Sequence, residues 1–242
     1  MPVIAILSDI HANYEALRRV LEDLDARPHD AEVCLGDVVG YGPQPQECCD
    51  LLRGREMTVV QGNHEQGLIN IYHLGAFNQP AKDSLRRTRE MIDDPTYEWL
   101  VSHPKSAVLH DCRFVHGVPP DDAKEYLWKY EDCVGELFAR FTERVCFVGH
   151  THDLMRFTAD REGVSGRLPV PEGGTRLEPD RRHLVNVGAV GQPRDGDNRA
   201  KYALYDTKTG LLTLRFIPYD IARTAELIRA HGFHRAFADR LW

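Results

Sequence analysis

The sequence predicts an α/β fold built on parallel strands. Three observations predict it. Short apolar runs rich in β-branched residues alternate with amphipathic helical segments, and the linkers between them are short. That strand–helix–strand rhythm implies parallel strands joined by right-handed crossovers. Five of the apolar runs also end in residues able to bind a metal, at the strand edge where ligands collect in such sheets.

The elements follow in order. Val3-Ile4-Ala5-Ile6-Leu7 is too short for a helix and reads as a buried strand. Asp9 and His11 leave it two residues apart, and extended backbone would place both on one face. Tyr14 to Ala26 carries Leu17, Val20, Leu21 and Leu24 at helical spacing, with Asn13 as its N-cap. Ala31 to Leu35 is a second strand and ends in Gly36-Asp37. Gln46 to Arg53 is a second helix, after a turn at Gly42, Pro43 and Pro45. Met57 to Val60 is a third strand and ends in Gly62-Asn63-His64-Glu65.

Pro80 to Ile92 and Thr96 to Val101 read as helices. The Arg86, Arg87 and Arg89 cluster on the first reads as a solvated face. Lys105 to His110 and Cys112 to Val115 read as two strands joined by a tight turn, the second ending in His116. Val118 to Tyr130 is acidic, then aromatic, and fits either a wall over a site or a packed surface helix. Val145 to Val148 is a buried strand ending in Gly149-His150-Thr151-His152. Arg161 to Arg182, rich in Gly, Pro and charge, reads as a long hairpin tip or loop. His183 to Val187, Lys201 to Asp206 and Leu211 to Ile217 read as strands, with a polar loop at Gly188 to Asp197. Helices over Ile221 to Ala230 and Arg235 to Leu241 follow. No internal repeat or domain linker breaks the pattern, so residues 1–242 are expected to form one domain.

Composition narrows the function. The chain has 242 residues and a net charge of -7. That acidity argues against stable nucleic-acid binding, which would normally need a basic face. Phosphorylated substrates stay open, because bound cations supply positive charge locally. Six cysteines without a Cys-X-X-Cys pair make a disulfide framework unexpected and favour a reducing cytoplasm. The N-terminal apolar run lacks a basic flank and is interrupted by Asp9, so neither a signal peptide nor a membrane span is expected.

Five strand ends thus supply Asp9, His11, Asp37, Asn63, His64, His116, His150 and His152. One such residue is an ordinary turn; five coincidences are not. Seven good ligands exceed what one ion with an open position needs, so two metals are expected. Carboxylate, amide and imidazole without thiolate suit Mn, Fe, Zn, Co or Ni, with Mn favoured. Two ions roughly 3.5–4 Å apart need a bridging carboxylate, for which Asp37 is the natural choice, and they generate hydroxide at neutral pH.

These motifs resemble the calcineurin-like metallophosphoesterase superfamily: Asp9-Ile10-His11, Gly36-Asp37, Gly62-Asn63-His64-Glu65, His116 and Gly149-His150-Thr151-His152. Asn186 to Asp206 is similar to its bacterial phosphodiesterase-like branch. The resemblance implies a four-layer αββα sandwich with a dinuclear site at its rim. It implies that Asp9, His11, His152 and bridging Asp37 hold one ion, and Asp37, Asn63, His116 and His150 the other. His64 becomes the acid that protonates the leaving alkoxide.

One departure matters. Many relatives read Gly-Asp-X-X-Asp-Arg-Gly after the second strand, whereas this chain reads Gly36-Asp37-Val38-Val39-Gly40-Tyr41-Gly42. The Asp that would orient His64 is Gly40, and the Arg that would hold a phosphate is Tyr41. A protein phosphatase becomes less expected, and Arg194 is the replacement phosphate ligand, unless it is tied up by Asp195 or Asp197. The expected activity is hydrolysis of a small phosphodiester. A phosphomonoesterase, or a metal-binding scaffold without turnover, is the alternative.

Overall fold

Two sheets face each other, with helices on their outer sides. A computed structural model describes residues 2–70, 75 and 77–242. The first sheet has the order β3-β2-β1-β10-β11-β8: β1 (Val3–Leu7), β2 (Ala31–Cys34), β3 (Met57–Val59), β8 (Gly173–Arg176), β10 (Ala200–Asp206) and β11 (Leu211–Ile217). The second has the order β4-β5-β6-β9-β7: β4 (Ser106–Leu109), β5 (Cys112–Val115), β6 (Val145–Val148), β7 (Leu154–Ala159) and β9 (Arg182–Val187).

The parallel expectation holds for four of the nine strand pairs among the described residues. β1, β2 and β3 pair in parallel, as do β5, β6 and β9. The remaining pairs, β1 with β10 and β7 with β9 among them, are antiparallel. The sheets are therefore mixed. Parallel pairing needs a crossover, which helix α1 (Tyr14–Asp25) and helix α2 (Pro45–Arg53) supply, whereas β10 and β11 meet across a tight turn.

The apolar runs are continuous because both faces of each central strand are buried. Ile4 and Ile6 of β1 point between the sheets with Phe114, Phe147, Val185 and Tyr205. Ala5 and Leu7 point the other way, against Leu17, Val20 and Leu24 of α1 and Cys48 and Leu52 of α2. In the second sheet Cys146 and Val148 face outward, against a 3₁₀ turn at Leu127–Cys133 and helix α6 (Gly135–Phe138). The layers are helix, sheet, sheet, helix, as the sandwich expectation has it.

Helices α4 (Gln79–Met91) and α5 (Asp94–Ser102) lie where expected, and Arg86 and Arg89 pair with Asp83 and Asp94 on a solvated face. Helices α7 (Ile221–Ala230) and α8 (Arg235–Asp239) form a small core of their own, on which Tyr41 packs. The described cysteines are all free.

Four elements have no counterpart in the sequence reading. Helix α3 (Asn63–Ile69) starts directly at the third strand end, with Gly62 as N-cap. β7 buries Met155 and Phe157 alternately with less buried neighbours, a period of two that was there to be read. β8 lies inside the stretch expected to be a loop; its sequence, Gly-Gly-Thr-Arg, has no apolar residue to mark it. α6, a single turn, is too short to show a period.

Candidate metal centre

The five strand ends converge. Asp9, His11, Asp37, Asn63, His116, His150 and His152 are all buried side by side. Asp9 and His11 do not meet by extended alternation, however. The strand stops at Leu7, and Asp9 and His11 have φ of 54° and 50°. Asp37, His150 and His152 also lie in this left-handed region, at 50°, 65° and 61°. Such residues cost roughly 1–3 kcal/mol each and persist where the surroundings over-determine them. Here the loops lace together: Asp9 N donates to Gly36 O at 3.1 Å and His11 N to Asp37 O at 2.9 Å.

Each carboxylate is anchored by one oxygen and offers the other. Asp9 Oδ2 accepts from Ser8 Oγ at 2.6 Å and His150 N at 3.0 Å. Its Oδ1 is buried with no hydrogen-bond partner. Asp37 Oδ1 accepts from His64 N at 2.9 Å, leaving Oδ2 at 3.2 Å from His116 Nε2 and 3.7 Å from His11 Nε2.

Four imidazoles are fixed the same way. His11 Nδ1 faces Val39 O at 3.2 Å, His116 Nδ1 faces Leu35 O at 2.8 Å, and His152 Nδ1 faces Gln192 O at 2.6 Å. His150 is turned over, with Nε2 at 3.2 Å from Lys124 O. A carbonyl only accepts, so each outer nitrogen carries a proton and, whenever the ring is neutral, the inner nitrogen is a bare lone pair. Those lone pairs point at one another: His11 Nε2 and His152 Nε2 are 3.1 Å apart, His116 Nε2 and His150 Nδ1 3.2 Å. Two acceptors at that distance repel unless a cation lies between them. Asp9 Oδ1 stands 3.1 Å from His152 Nε2, and Asn63 Oδ1 3.1 Å from His116 Nε2. The donors gather as Asp9, His11 and His152, as His11, Asp37 and His64, and as Asp37, His116 and His150, each group close enough to hold a divalent cation.

The electrostatics agree. Burial holds His150 down at about 3 and His11 well below its ordinary value, keeping both neutral. Burial is the largest single influence on His116 and opposes its charge, but the carboxylates of Asp37, Asp9 and Glu65 together outweigh it and raise that imidazole to about 9.

A model of the calcineurin-like phosphoesterase superfamily domain matches residues 3–210. The chain belongs to that superfamily. An uncharacterized protein of Methanocaldococcus jannaschii is 34% identical over 246 residues, covering 99% of this chain and 97% of that one. The crystal structure of a metallophosphoesterase from Sphaerobacter thermophilus superposes with a TM-score of 0.84 at 33% identity, covering 99% of this chain and 97% of the other. A hypothetical protein of Pyrococcus horikoshii shares the fold, with a TM-score of 0.74 at 19% identity over 99% and 97% of the two chains.

In this calcineurin-like phosphoesterase His64 opens α3 beside the cluster, its Nε2 3.9 Å from Asp37 Oδ2. It differs from the four carbonyl-bound imidazoles, because its Nδ1 is buried without a partner. Gly40 explains this. A Cβ there would lie 1.9 Å from His64 Nδ1, so no side chain fits where relatives place an orienting Asp. Packing orients the ring instead: Tyr41 at 4.5 Å, His11 at 4.8 Å and Phe77 at 5.2 Å enclose it. Burial lowers His64 to about 4, with Asp37 pulling the other way.

Arg194 reaches the site from its loop. Its N donates to His152 O at 3.2 Å and its Nη2 to Gln192 Oε1 at 3.1 Å. The expected rivals are occupied: Asp195 binds Lys201 Nζ at 2.7 Å, and Asp197 binds Arg199. The Val118 to Tyr130 stretch walls the site at Lys124 to Tyr126 and turns into a 3₁₀ helix from Leu127. Tyr126 stacks on His150 at 4.0 Å and Lys124 supplies the carbonyl for that same ring. Two residues of the site escaped sequence reasoning. Glu65 holds three backbone N–H groups around Asp37, and Gln192 anchors His152. Glu65 stood in the Gly62-Asn63-His64-Glu65 motif with no role of its own, and Gln192 was signalled by nothing local.

Among the described residues no helix is long and apolar enough to cross a membrane.

Proposed function

We propose that this chain is a dinuclear metal-dependent phosphodiesterase acting on small phosphate esters. The observation that supports the reading is the cluster of inward donors around Asp37 Oδ2, with the outer nitrogens of His11, His116, His150 and His152 each committed to a carbonyl. Asp9, His11, His152 and Asp37 would hold one ion, and Asp37, Asn63, His116 and His150 the other; manganese suits this thiolate-free set. When bound, such ions supply hydroxide at neutral pH and positive charge for the equatorial phosphate oxygens.

The protein's own groups then have distinct tasks. The carbonyls of Val39, Leu35, Gln192 and Lys124 fix the tautomers and aim the rings. Tyr41 and Phe77 keep water from His64 and hold its Nε2 toward the reacting phosphate. His64 is neutral at pH 7 in the protein alone, so the negative charge of a bound ester is what brings it the proton it gives to the leaving oxygen. Arg194 binds phosphate, free of any carboxylate partner among the described residues. Tyr41 stands uncharged where a phosphatase arginine would be, which favours a diester monoanion over a monoester dianion.

A monoesterase is the second reading. Its support is a serine/threonine-protein phosphatase of Salmonella typhimurium that is 39% identical over 62 residues, 25% of this chain and 29% of that one. The free, largely buried cysteines fit a reducing cytoplasm. Metal-stripped protein reloaded with Mn²⁺ would be assayed with bis-p-nitrophenyl phosphate and with p-nitrophenyl phosphate. Preference for the diester is expected. Preference for the monoester would install the second reading, and no turnover of either with two ions bound would defeat both.

A further inference from the structure

Two guanidinium groups meet on one glutamine whose backbone holds an imidazole of the metal centre. Arg194 follows the Gln192-Pro193 turn, and Arg240 caps the C-terminal end of α8. Arg194 Nη2 lies 3.1 Å and Arg240 Nη1 3.5 Å from the same oxygen, Gln192 Oε1. Gln192 is only 2% exposed, and its backbone carbonyl holds His152 Nδ1 at 2.6 Å. The two cations are thus tied to the frame of a metal-site imidazole. Both charges also act on the Tyr41 hydroxyl, and the Tyr41 ring lies 4.7 Å from His11.

The acids nearby are engaged elsewhere. Asp195 and Asp197 bind Lys201 and Arg199, and Asp239 binds Arg229 and Arg235. Among the described residues neither Arg194 nor Arg240 has an ion-pair partner. A cleft opens in front of them, lined by both arginines with Pro193, Asn198, Trp242 and Asp197, whose carboxylate is held by Arg199. A basic residue at a helix C-cap commonly serves the last carbonyls. Here the guanidinium reaches across to Gln192 instead. Two like charges sharing one neutral oxygen repel each other, and partial burial followed by the Arg194 charge pushes the Arg240 pKa down. An anion between the forks would relieve that repulsion, and the planar fork matches phosphate oxygens two at a time.

We propose that Arg194 and Arg240 together form an anion subsite that receives a second phosphate of the substrate, adjacent to the phosphate at the metal centre. The inference rests on the phosphoesterase reading and narrows it to esters carrying two phosphates in series. It also moves Arg194 from the attacked phosphate to its neighbour and gives it a partner at the end of helix α8.

The test is binding, not turnover. Affinities of AMP and α,β-methylene-ADP for Mn²⁺-loaded protein are measured by titration calorimetry, with metal content checked afterwards. Two charge-assisted contacts make the diphosphate bind about 10–100-fold tighter than the monophosphate. Arg240→Ala should pull that ratio toward one, and Arg240→Lys, which keeps charge but loses the fork, should restore part of it. Arg235→Ala, on the same helix but facing Asp239, should leave the ratio alone and so exclude a general loss of positive charge. A wild-type ratio near one, or a ratio unaltered in Arg240→Ala, overturns the inference while leaving ester hydrolysis to stand. A ratio that behaves as expected in a protein unable to hydrolyse either nitrophenyl ester would keep the subsite and remove the reading beneath it.

Discussion

Glu65 offers the sharpest test of how the site is held. Its side chain is fully buried, and its carboxylate accepts three backbone N–H groups: Asp37 at 2.9 Å, Gly62 at 2.8 Å and Val38 at 3.0 Å. One carboxylate thereby pins the β2 loop, which carries Asp37, to the start of α3, which carries Asn63 and His64. Glu65→Ala would orphan three buried donors. Each costs about 1–3 kcal/mol, so the loss is about 3 kcal/mol at the low end. In a domain of this size each kcal/mol moves Tm by about 2–4 °C, giving a fall of about 6–12 °C. Some relief follows from removing a charge that repels Asp37; burial and that repulsion raise the Glu65 pKa to about 7. Glu65→Gln separates the contributions. Its oxygen can keep the Asp37 and Gly62 donors, which share Oε2, while its amide N–H confronts Val38 N–H. The expected cost is about 1–3 kcal/mol, the penalty for one unmade bond. Thermal denaturation in chelator and in Mn²⁺, with metal content measured in parallel, reads both variants. Glu65→Ala with a wild-type Tm in chelator and two bound ions would refute the reasoning.

Three further outcomes are expected. Asp37→Asn removes the shared oxygen's charge and should lose metal and activity together, read by elemental analysis and ester hydrolysis; full metal content would dissociate Asp37 from the bridge. His64→Ala should retain metal but lower turnover by about 10²-fold or more, most strongly for esters with poor leaving groups; loss of metal would place His64 among the ligands instead. The metal-free protein should be most stable near pH 6.5. His64 and His150 sit at about 4 and about 3 when folded, below their unfolded value of 6.5, so the unfolded chain takes up more protons as pH falls and stability drops. His116, raised to about 9, adds stability that is fully present below pH 6.5 and lost as pH climbs through 9. The acid limb should be the steeper, since His11 is also lowered. Denaturation scans showing stability rising steadily from pH 9 to pH 5 would contradict this.

Local pattern alone determined much of this protein. The buried strands were legible because both faces of β1, β2 and β6 are covered, which leaves unbroken apolar runs such as Val3 to Leu7 and Val145 to Val148. The ligand-type residues were legible because parallel strands end on one edge, so Asp9, Asp37, Asn63, His116 and His150 could be grouped without coordinates. What the tertiary structure decided is everything that depends on distant partners. β8 pairs with β11 on backbone hydrogen bonds and carries no apolar signal of its own. Asp9 and His11 meet through left-handed backbone imposed by the neighbouring loop, not through strand alternation. His64 is oriented by Tyr41 and Phe77 because Gly40 leaves no space for a carboxylate. Gln192 joins His152 to two arginines 46 residues apart in number, Arg194 and Arg240. A sequence states which groups are available at each position; which nitrogen is left bare, and which charge is left unpaired, follows only once the chain has closed around them.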